Sequence, residues 1–139
     1  MWRFGTFLRT VSDLDRDLRK KNFSSRIIDH RAHFPIVIID DQEFTDLASL
    51  LRYNFNITHF SDLESIGTIA RYHIVLCDLI GVGTSLSKRL QGAQIIREIK
   101  KSYPEKFVIA YTGGGYSEAF EHSISIADRY LKKDANIEE

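Results

Sequence analysis

Short runs of β-branched and aromatic residues alternate along the chain with segments whose apolar residues recur every three or four positions. Uninterrupted apolar runs of four to seven residues are typical of strands covered on both faces. The predicted strands are residues 34–40, 57–60, 73–78, 107–111 and 128–132. Because strand and helix signals alternate, the sequence predicts an α/β fold with a parallel sheet and right-handed crossovers.

Apolar residues at helical spacing between these runs predict the connecting helices. The first helix is marked by Phe44, Leu47, Leu50, Leu51 and Phe55. A short helix is predicted around residues 63–69, a longer one over residues 93–103 that Pro104 ends, and another within 117–126. The segment 79–91 is rich in Gly, Ser and Thr, which predicts a loop.

The first 33 residues have a different character from the rest, so we divide the chain into residues 1–33 and a domain over 34–139. The leader's apolar stripe consists of Phe4, Phe7, Leu8, Val11, Leu14 and Leu18. This stripe predicts an extra N-terminal amphipathic helix, followed by a connector. Such a helix would pack on the domain, pair with the helix of a second chain or lie on a membrane surface. The acidic residues among its basic ones argue against the membrane.

Composition limits the classes of function. The length of 139 residues fits one domain, and the net charge of zero gives no field that would attract nucleic acid. No apolar run approaches the ~20 residues that span a bilayer. Cys77 is the single cysteine, which excludes an intramolecular disulfide and fits a reducing compartment. We therefore expect a cytoplasmic protein with no membrane span and no nucleic-acid partner.

Polar residues that carry chemistry stand where the predicted strands end. They are Asp40, Asp41, Asp78, Thr112, Lys132 and Lys133. The carboxyl ends of parallel strands meet at one edge of the sheet, so these groups should converge in one crevice. Neighbouring carboxylates repel each other unless a cation joins them, and Mg²⁺ prefers such oxygen ligands. A carboxylate there can attack phosphorus while metal, ammonium and hydroxyl neutralise the transferring group.

Each of these residues also has an ordinary structural interpretation. Paired Asp residues before a helix are often N-caps, and lysines at a strand end are often solvated. Tyr130 alone is more often a packing residue than a switch. The five histidines show no metal-ligand spacing. Chemistry is therefore indicated only by the ordered set of residues.

In its order and spacing, this set resembles the signature of response-regulator receiver domains of two-component phosphorelays. Asp41 to Asp78, Asp78 to Thr112 and Thr112 to Lys133 span 37, 34 and 21 residues. Tyr130 stands three residues before Lys133, where the family has its switch aromatic. The resemblance covers roughly residues 34–134. It implies a flavodoxin-like, doubly wound, five-stranded parallel sheet with strand order 2-1-3-4-5.

The resemblance also implies a Mg²⁺ site and a phosphoacceptor. Asp78 would accept the phosphoryl group. Asp41 would bind the metal directly and Asp40 through water. The backbone carbonyl of Ile80 would complete the protein ligands, beside Asp78 itself.

Further roles at the same site follow from the resemblance. Thr112 would bind the phosphoryl oxygens, and Lys133 would pair with the carboxylate and then with the phosphate, with Lys132 as the fallback. Gly113 would keep the space beside Thr112 open. Thr112 and Tyr130 would be the switch residues.

These roles imply a signalling domain and not an enzyme, apart from its own phosphotransfer and dephosphorylation. The phosphoryl donor would be a sensor histidine kinase or a phosphotransfer protein. Output would reach a downstream protein target through protein–protein interaction. The alternative is a phosphorylation-independent, receiver-like interaction module. A small phosphatase-like hydrolase is disfavoured, because Ile80 stands where such an enzyme needs a second acid.

The sequence departs from the family pattern in three places. Lys133 is followed by Asp134 and not by the family's common Pro, so a cis peptide bond is not expected there. An insertion over Leu79–Gln91 is expected to overhang the site, with Gly92 opening the next helix. Only six residues follow Lys133, so we expect no final C-terminal helix. The N-terminal helix would then cover the exposed side of the sheet, or make a homodimer.

Overall fold

The structure, a computed structural model, describes residues 30–43, 51–113 and 117–133. The apolar stripe of the predicted N-terminal helix lies outside the described residues, and so do residues 44–50 of the helix predicted after the first strand. The last six residues, 134–139, also lie outside them. No helix within the described ranges is long and apolar enough to cross a membrane.

Five parallel strands form one sheet in the order β2-β1-β3-β4-β5, which confirms the predicted fold and strand order. The strands are β1 Ile36–Ile39, β2 Ile57–Phe60, β3 Ile74–Asp78, β4 Phe107–Thr112 and β5 Arg129–Lys132. In register, Ile38 lies beside Leu76, which lies beside Ile109. The carboxyl ends of β1, β3 and β4 therefore lie next to one another.

Two of the strand boundaries that differ from the prediction have local reasons. The strand β1 begins at Ile36, since Pro35 has no N–H to donate to a neighbouring strand. The Pro35 carbonyl still accepts a hydrogen bond of 2.9 Å from the His73 N–H. The strand β4 extends to Thr112, whose carbonyl accepts from the Lys133 N–H at 3.1 Å. This bond anchors the residue that follows β5 beside the end of β4.

Three helical segments between the strands lie wholly within the described residues. The predicted helix around residues 63–69 is a 3₁₀ helix, Ile66–Ile69, whose N-cap Ser65 accepts from the Gly67 N–H. The helix α1 spans Gly92–Ser102, with Gly92 at its start as predicted. The helix α2 spans Glu118–Ile126, and its N-cap Ser117 accepts from the Ala119 N–H.

The core lies between the sheet and these helices. From the strands it contains Val37, Ile39, Val75, Cys77, Val108 and Ala110. From the helices it contains Ile69, Ile95, Ile96, Ile99 and Phe120. Alternate strand residues point to opposite faces, so Ile38, Leu76 and Ile109 belong to the second face of the sheet. The side chain of Asp128 links β4 to α1, because its Oδ2 accepts from the Val108 N–H at 2.7 Å and from Lys100 Nζ at 2.6 Å.

Candidate functional site

Three aspartates meet at the carboxyl edge of the sheet. Asp40 and Asp41 follow β1, and Asp78 is the last residue of β3. One carboxylate oxygen from each lies within 4.8 Å of the other two. Asp40 and Asp78 are buried, whereas Asp41 is exposed. The convergence expected from the strand ends is therefore present in the structure.

Lys133 brings a cation to this cluster. Its Nζ lies 2.6 Å from Asp78 Oδ2 and 3.0 Å from Asp40 Oδ2. The neighbouring Lys132 is exposed and ends β5. Lys133, and not the fallback Lys132, is therefore the lysine that forms ion pairs with both buried carboxylates.

A solvent-accessible pocket of about 310 Å³ opens beside these groups. It is lined by Asp41, Gln42, Asp78, Ile80, Thr112, Gly113 and Lys133. The Thr112 side chain is buried at the pocket wall. A Cβ atom at Gly113 would meet the Lys133 side chain at 3.4 Å, so Gly113 lies directly beside the lysine. The pocket thus gathers carboxylate, hydroxyl and ammonium groups around one space.

Backbone groups fix the two buried carboxylates. The Ile80 N–H donates to Asp78 Oδ1 at 3.2 Å, and the Gln42 N–H donates to Asp40 Oδ1 at 2.9 Å. Each donor lies two residues after its carboxylate, as in an Asx turn. A ring nitrogen of His59 lies 2.8 Å from the Asp40 carbonyl oxygen. The carboxylates are therefore held in place where each strand turns away from the sheet.

Tyr111 is a member of the site that reasoning from the sequence missed. Its buried hydroxyl donates to Asp40 Oδ2 at 2.5 Å, and Lys133 Nζ lies 5.1 Å from the centre of its ring. In the sequence it marks only the end of an apolar strand. One signal was available, since Tyr111 is a tyrosine with a polar tip directly before Thr112.

Burial and hydrogen bonds move the pKa values of the two buried carboxyls in opposite directions. Burial raises the pKa of Asp78 above its ordinary value, although hydrogen bonds from Lys133 and Ile80 oppose the rise. Burial also acts to raise the pKa of Asp40, but hydrogen bonds from Tyr111, Gln42 and Lys133 outweigh it and lower that pKa. Burial acts to lower the pKa of Lys133, but hydrogen bonds to both carboxylates raise it, so its ammonium stays charged.

The insertion after Asp78 is anchored to the domain. Leu79, Val82 and Leu90 are buried, and the Gly83 N–H donates to Asp62 Oδ1 at 2.6 Å. Gly81 has a φ of +89°, and a Cβ atom there would lie 2.5 Å from the Asp41 carboxylate. The segment therefore packs directly against one of the three aspartates. From it, the exposed side chain of Ile80 reaches the pocket.

Tyr130, the predicted switch aromatic, lies away from the carboxylates. It is half-buried on β5, pairs in register with Ala110 and packs against the core under the helices. The strand β5 thus presents Tyr130 to the helix side and carries Lys133 just beyond its end.

The donor set fits a hard divalent cation. The three aspartates offer closely spaced oxygen ligands, and one of them is exposed to solvent. Such oxygen-only sites with room for water suit Mg²⁺. Among the described residues, Lys133 is the only cationic side chain at this cluster. The three carboxylates and the one ammonium together therefore retain a net negative charge.

Solved structures share this fold. The BeF₃-activated DrrB receiver domain of Thermotoga maritima matches with a TM-score of 0.59 and 24% identity, covering 76% of this chain and 88% of that chain. A Burkholderia pseudomallei response regulator with a phosphorylated aspartic acid, a calcium ion and citrate matches with a TM-score of 0.60 and 21% identity, covering 76% and 62%. The Thermotoga maritima response regulator TrrA in complex with Mg²⁺-BeF matches with a TM-score of 0.59 and 21% identity, covering 74% and 89%.

At these identities the similarity establishes the fold, and no protein-family model and no curated protein matches the sequence. The chain has the receiver-domain fold of response regulators, with a parallel 2-1-3-4-5 sheet and an acidic cluster of Asp40, Asp41 and Asp78 at its carboxyl edge. The fold class that the sequence predicted is thereby confirmed.

Proposed function

We propose that this chain is a phosphoacceptor receiver domain of a two-component phosphorelay. It takes a phosphoryl group from a histidine kinase or phosphotransfer protein onto Asp78 and signals by protein–protein interaction. One observation carries the proposal. Lys133 Nζ pairs with Asp78 at 2.6 Å inside a pocket that also contains Asp41 and Thr112.

The side chains that line this pocket have defined roles in the transfer. An oxygen of the Asp78 carboxylate forms a bond to phosphorus as the bond between phosphorus and the donor's histidine nitrogen breaks. The Lys133 ammonium pairs with Asp78 before transfer and with a phosphoryl oxygen afterwards, so its charge is used in both states. The Thr112 hydroxyl donates to a second phosphoryl oxygen. The pocket opening gives the donor access.

The acidic cluster gives the reason for a metal requirement. Asp40, Asp41, Asp78 and the Ile80 carbonyl would hold a Mg²⁺ ion, with Asp40 acting through water. When bound, this ion supplies positive charge that lets a phosphoryl group approach three carboxylates. Two of the matched proteins support this assignment. One holds a phosphorylated aspartic acid with calcium, and the other is a complex with Mg²⁺-BeF.

The output would use the switch pair Thr112 and Tyr130. Thr112 lies at the end of β4, and Tyr130 lies on the adjacent β5 against the core. A shift of Thr112 toward the phosphoryl group would change the packing around Tyr130, and with it the surface near β4 and β5. A downstream protein would recognise this altered surface.

The alternative is a phosphorylation-independent interaction module. In such a module Lys133 would keep its pairing with both buried carboxylates and no phosphoryl group would be added. The two functions differ in whether Asp78 accepts phosphate.

Intact-mass measurement after incubation with acetyl phosphate and Mg²⁺ tests the proposal. We expect one phosphoryl adduct on the wild-type protein and on Glu64→Gln, an exposed acidic residue outside the pocket. The adduct should be absent from Asp78→Asn and strongly reduced when EDTA removes the metal. A wild-type protein that gains no adduct and binds no Mg²⁺ would instead support the interaction module.

A further inference from the structure

Asp40 is engaged by protein donors on both of its oxygens. Oδ2 accepts from the Tyr111 hydroxyl at 2.5 Å, and Oδ1 accepts from the Gln42 N–H at 2.9 Å. Lys133 Nζ lies 3.1 Å from Oδ1 and 3.0 Å from Oδ2. A metal ion, or a water bound to it, can reach this carboxylate only by taking the place of one of these donors. The Gln42 N–H belongs to the turn itself, so the exchangeable donors are side chains.

Tyr111 and Lys133 differ as competitors for Asp40. Lys133 has a second partner in Asp78 at 2.6 Å and can keep its charge paired when it leaves Asp40. The Tyr111 hydroxyl points at Asp40 from a ring that is only 4% exposed, so it is aimed at one carboxylate oxygen. A hydrogen bond to a charged group is stronger than one between neutral groups. Tyr111 is therefore the donor that most directly opposes a metal at Oδ2.

Tyr111 also shapes the position of Lys133. The ammonium lies 5.1 Å from the centre of the Tyr111 ring, within the range of a cation–π contact. The ring thus contacts the lysine while the hydroxyl holds the aspartate. One side chain on β4 touches both members of the Lys133–Asp40 pair.

We propose that Tyr111 is a positioning residue that competes with Mg²⁺ for Asp40 and so lowers the metal affinity of the site. The proposal rests on the proposed function, since it assumes that the acidic cluster binds this ion. Metal binding exchanges the Tyr111–Asp40 hydrogen bond for contact of the metal, or of its water, with Oδ2.

The test compares Mg²⁺ binding to wild type, Tyr111→Phe and Tyr103→Phe by calorimetry. Tyr111→Phe keeps the ring and removes the competing hydroxyl, so we expect roughly tenfold tighter binding of Mg²⁺, about 1.4 kcal/mol. Tyr103→Phe is the matched control, because Tyr103 caps the far end of α1 and its ring, which the substitution keeps, lies under the Lys106 ammonium. It should bind Mg²⁺ as the wild type does.

A spectroscopic readout separates competition from a structural role. Saturating the wild type with Mg²⁺ should change the near-ultraviolet absorbance of a tyrosine, because the Tyr111–Asp40 hydrogen bond is replaced. The change should be absent from Tyr111→Phe and present in Tyr103→Phe. If Tyr111→Phe does not fold, as judged by circular dichroism, Tyr111→Met supplies a flexible side chain without a hydroxyl for the same two measurements.

The outcomes for the inference and for the proposed function are distinct. Wild-type affinity in Tyr111→Phe or Tyr111→Met, with normal phosphorylation of the wild type, would overturn the role of Tyr111 alone. Weaker Mg²⁺ binding in these variants would overturn it as well, since it would show that the hydroxyl helps the metal. A wild type that neither binds Mg²⁺ nor gains a phosphoryl adduct would overturn both.

Discussion

At the scale of single residues, the site contains two buried aspartates whose protonation responds oppositely to the fold. The pKa of Asp78 is raised by burial, so its ionised form costs folding free energy relative to the unfolded chain. The pKa of Asp40 is lowered, because three donors outweigh its burial, so its ionised form stabilises the fold. Asp78, the residue proposed to react, is thus less well stabilised as an anion than Asp40.

Asp78→Asn should therefore stabilise the domain at neutral pH. The folded-state pKa of Asp78 lies above the unfolded value of about 3.9, so its ionisation cost is fully present at neutral pH and disappears as pH falls below that value. We expect the Tm of Asp78→Asn at pH 7 to exceed that of the wild type by about 4 °C, on the order of 1 kcal/mol. The difference should shrink on titration toward acid pH.

The matched control for this titration is Glu64→Gln, whose side chain is exposed. Its Tm should follow that of the wild type at every pH. Asp40 is present in all three proteins. The stability that ionised Asp40 gives the fold is present above about pH 3.9 and is lost as pH falls through the lowered folded-state pKa of Asp40. A Tm for Asp78→Asn that falls below the wild type at pH 7 would contradict this expectation, because it would show that the ion pair with Lys133 outweighs the cost of burying the Asp78 carboxylate.

Most of the candidate site could be predicted from the sequence, whereas the contact between Tyr111 and Asp40 could not. Asp40, Asp78 and Thr112 follow from a general rule, since the ends of parallel strands meet at one edge of the sheet. The contact between Tyr111 and Asp40 joins side chains 71 positions apart across the intervening strand β3. It depends on register and on the length of one side chain, which the pattern of apolar residues does not specify.

At the scale of elements, the start of α1 is packed against the end of β3. A Cβ atom at Gly92 would lie 1.7 Å from the Asp78 carbonyl oxygen and 3.0 Å from Leu79 Cα. Both contacts are with backbone, so neither can move away as a flexible side chain would. Gly92 therefore lets the helix approach the strand at the residue proposed to accept phosphate.

Gly92→Ala should destabilise the domain and disturb the site, whereas Gly67→Ala should not. The new methyl group must displace the backbone at Asp78, and we expect a loss of about 1–3 kcal/mol in the free energy of unfolding, with weaker Mg²⁺ binding. At Gly67 the nearest atom to a Cβ would be Ser65 Oγ at 3.6 Å, which is ordinary contact. Denaturant unfolding and calorimetry would measure both effects. Equal stability of the two variants would show that α1 can shift freely against β3.

The strands were predicted more closely than the connections because their signal is local. Continuous apolar runs marked β1, β3 and β4, and with the shorter signals at β2 and β5 all five strands were placed to within about two residues. The insertion was expected only as an overhanging loop, but buried Leu79, Val82 and Leu90 tie it to the core. Its glycines at φ +89° and φ +70° allow turns that let these side chains point inward. Isolated apolar residues among Gly and Ser give no periodicity from which such packing could be predicted.

At the scale of the whole molecule, the two faces of the sheet are unequal in the described part of the chain. The 3₁₀ helix, α1 and α2 all contribute to the core on one face. On the second face Ile38 is buried, Leu76 and Ile109 are half-buried, and Leu131 is 36% exposed. An apolar sheet face needs a cover, and the apolar stripe of the leader is a candidate for part of it.

We therefore propose that the leader stripe covers this second face within the same chain. Deleting residues 1–29 should lower the free energy of unfolding and increase binding of a dye such as ANS that reports exposed apolar surface. In the full chain, Val11→Asp places a charge on the stripe and should act in the same direction, by about 1–3 kcal/mol. Asp13→Asn, off the stripe, is its matched control and should leave stability unchanged.

The alternative, in which the leader pairs two chains, gives a different result for the same variants. Analytical ultracentrifugation would then show a wild-type dimer that becomes a monomer on deletion, with a stability that depends on protein concentration. If the leader covers its own domain, the wild type sediments as a monomer and its stability is independent of concentration. A wild type that sediments as a monomer, together with a truncated chain that is equally stable and does not bind the dye, would exclude both roles, because neither pairing nor covering of the sheet would then need the leader.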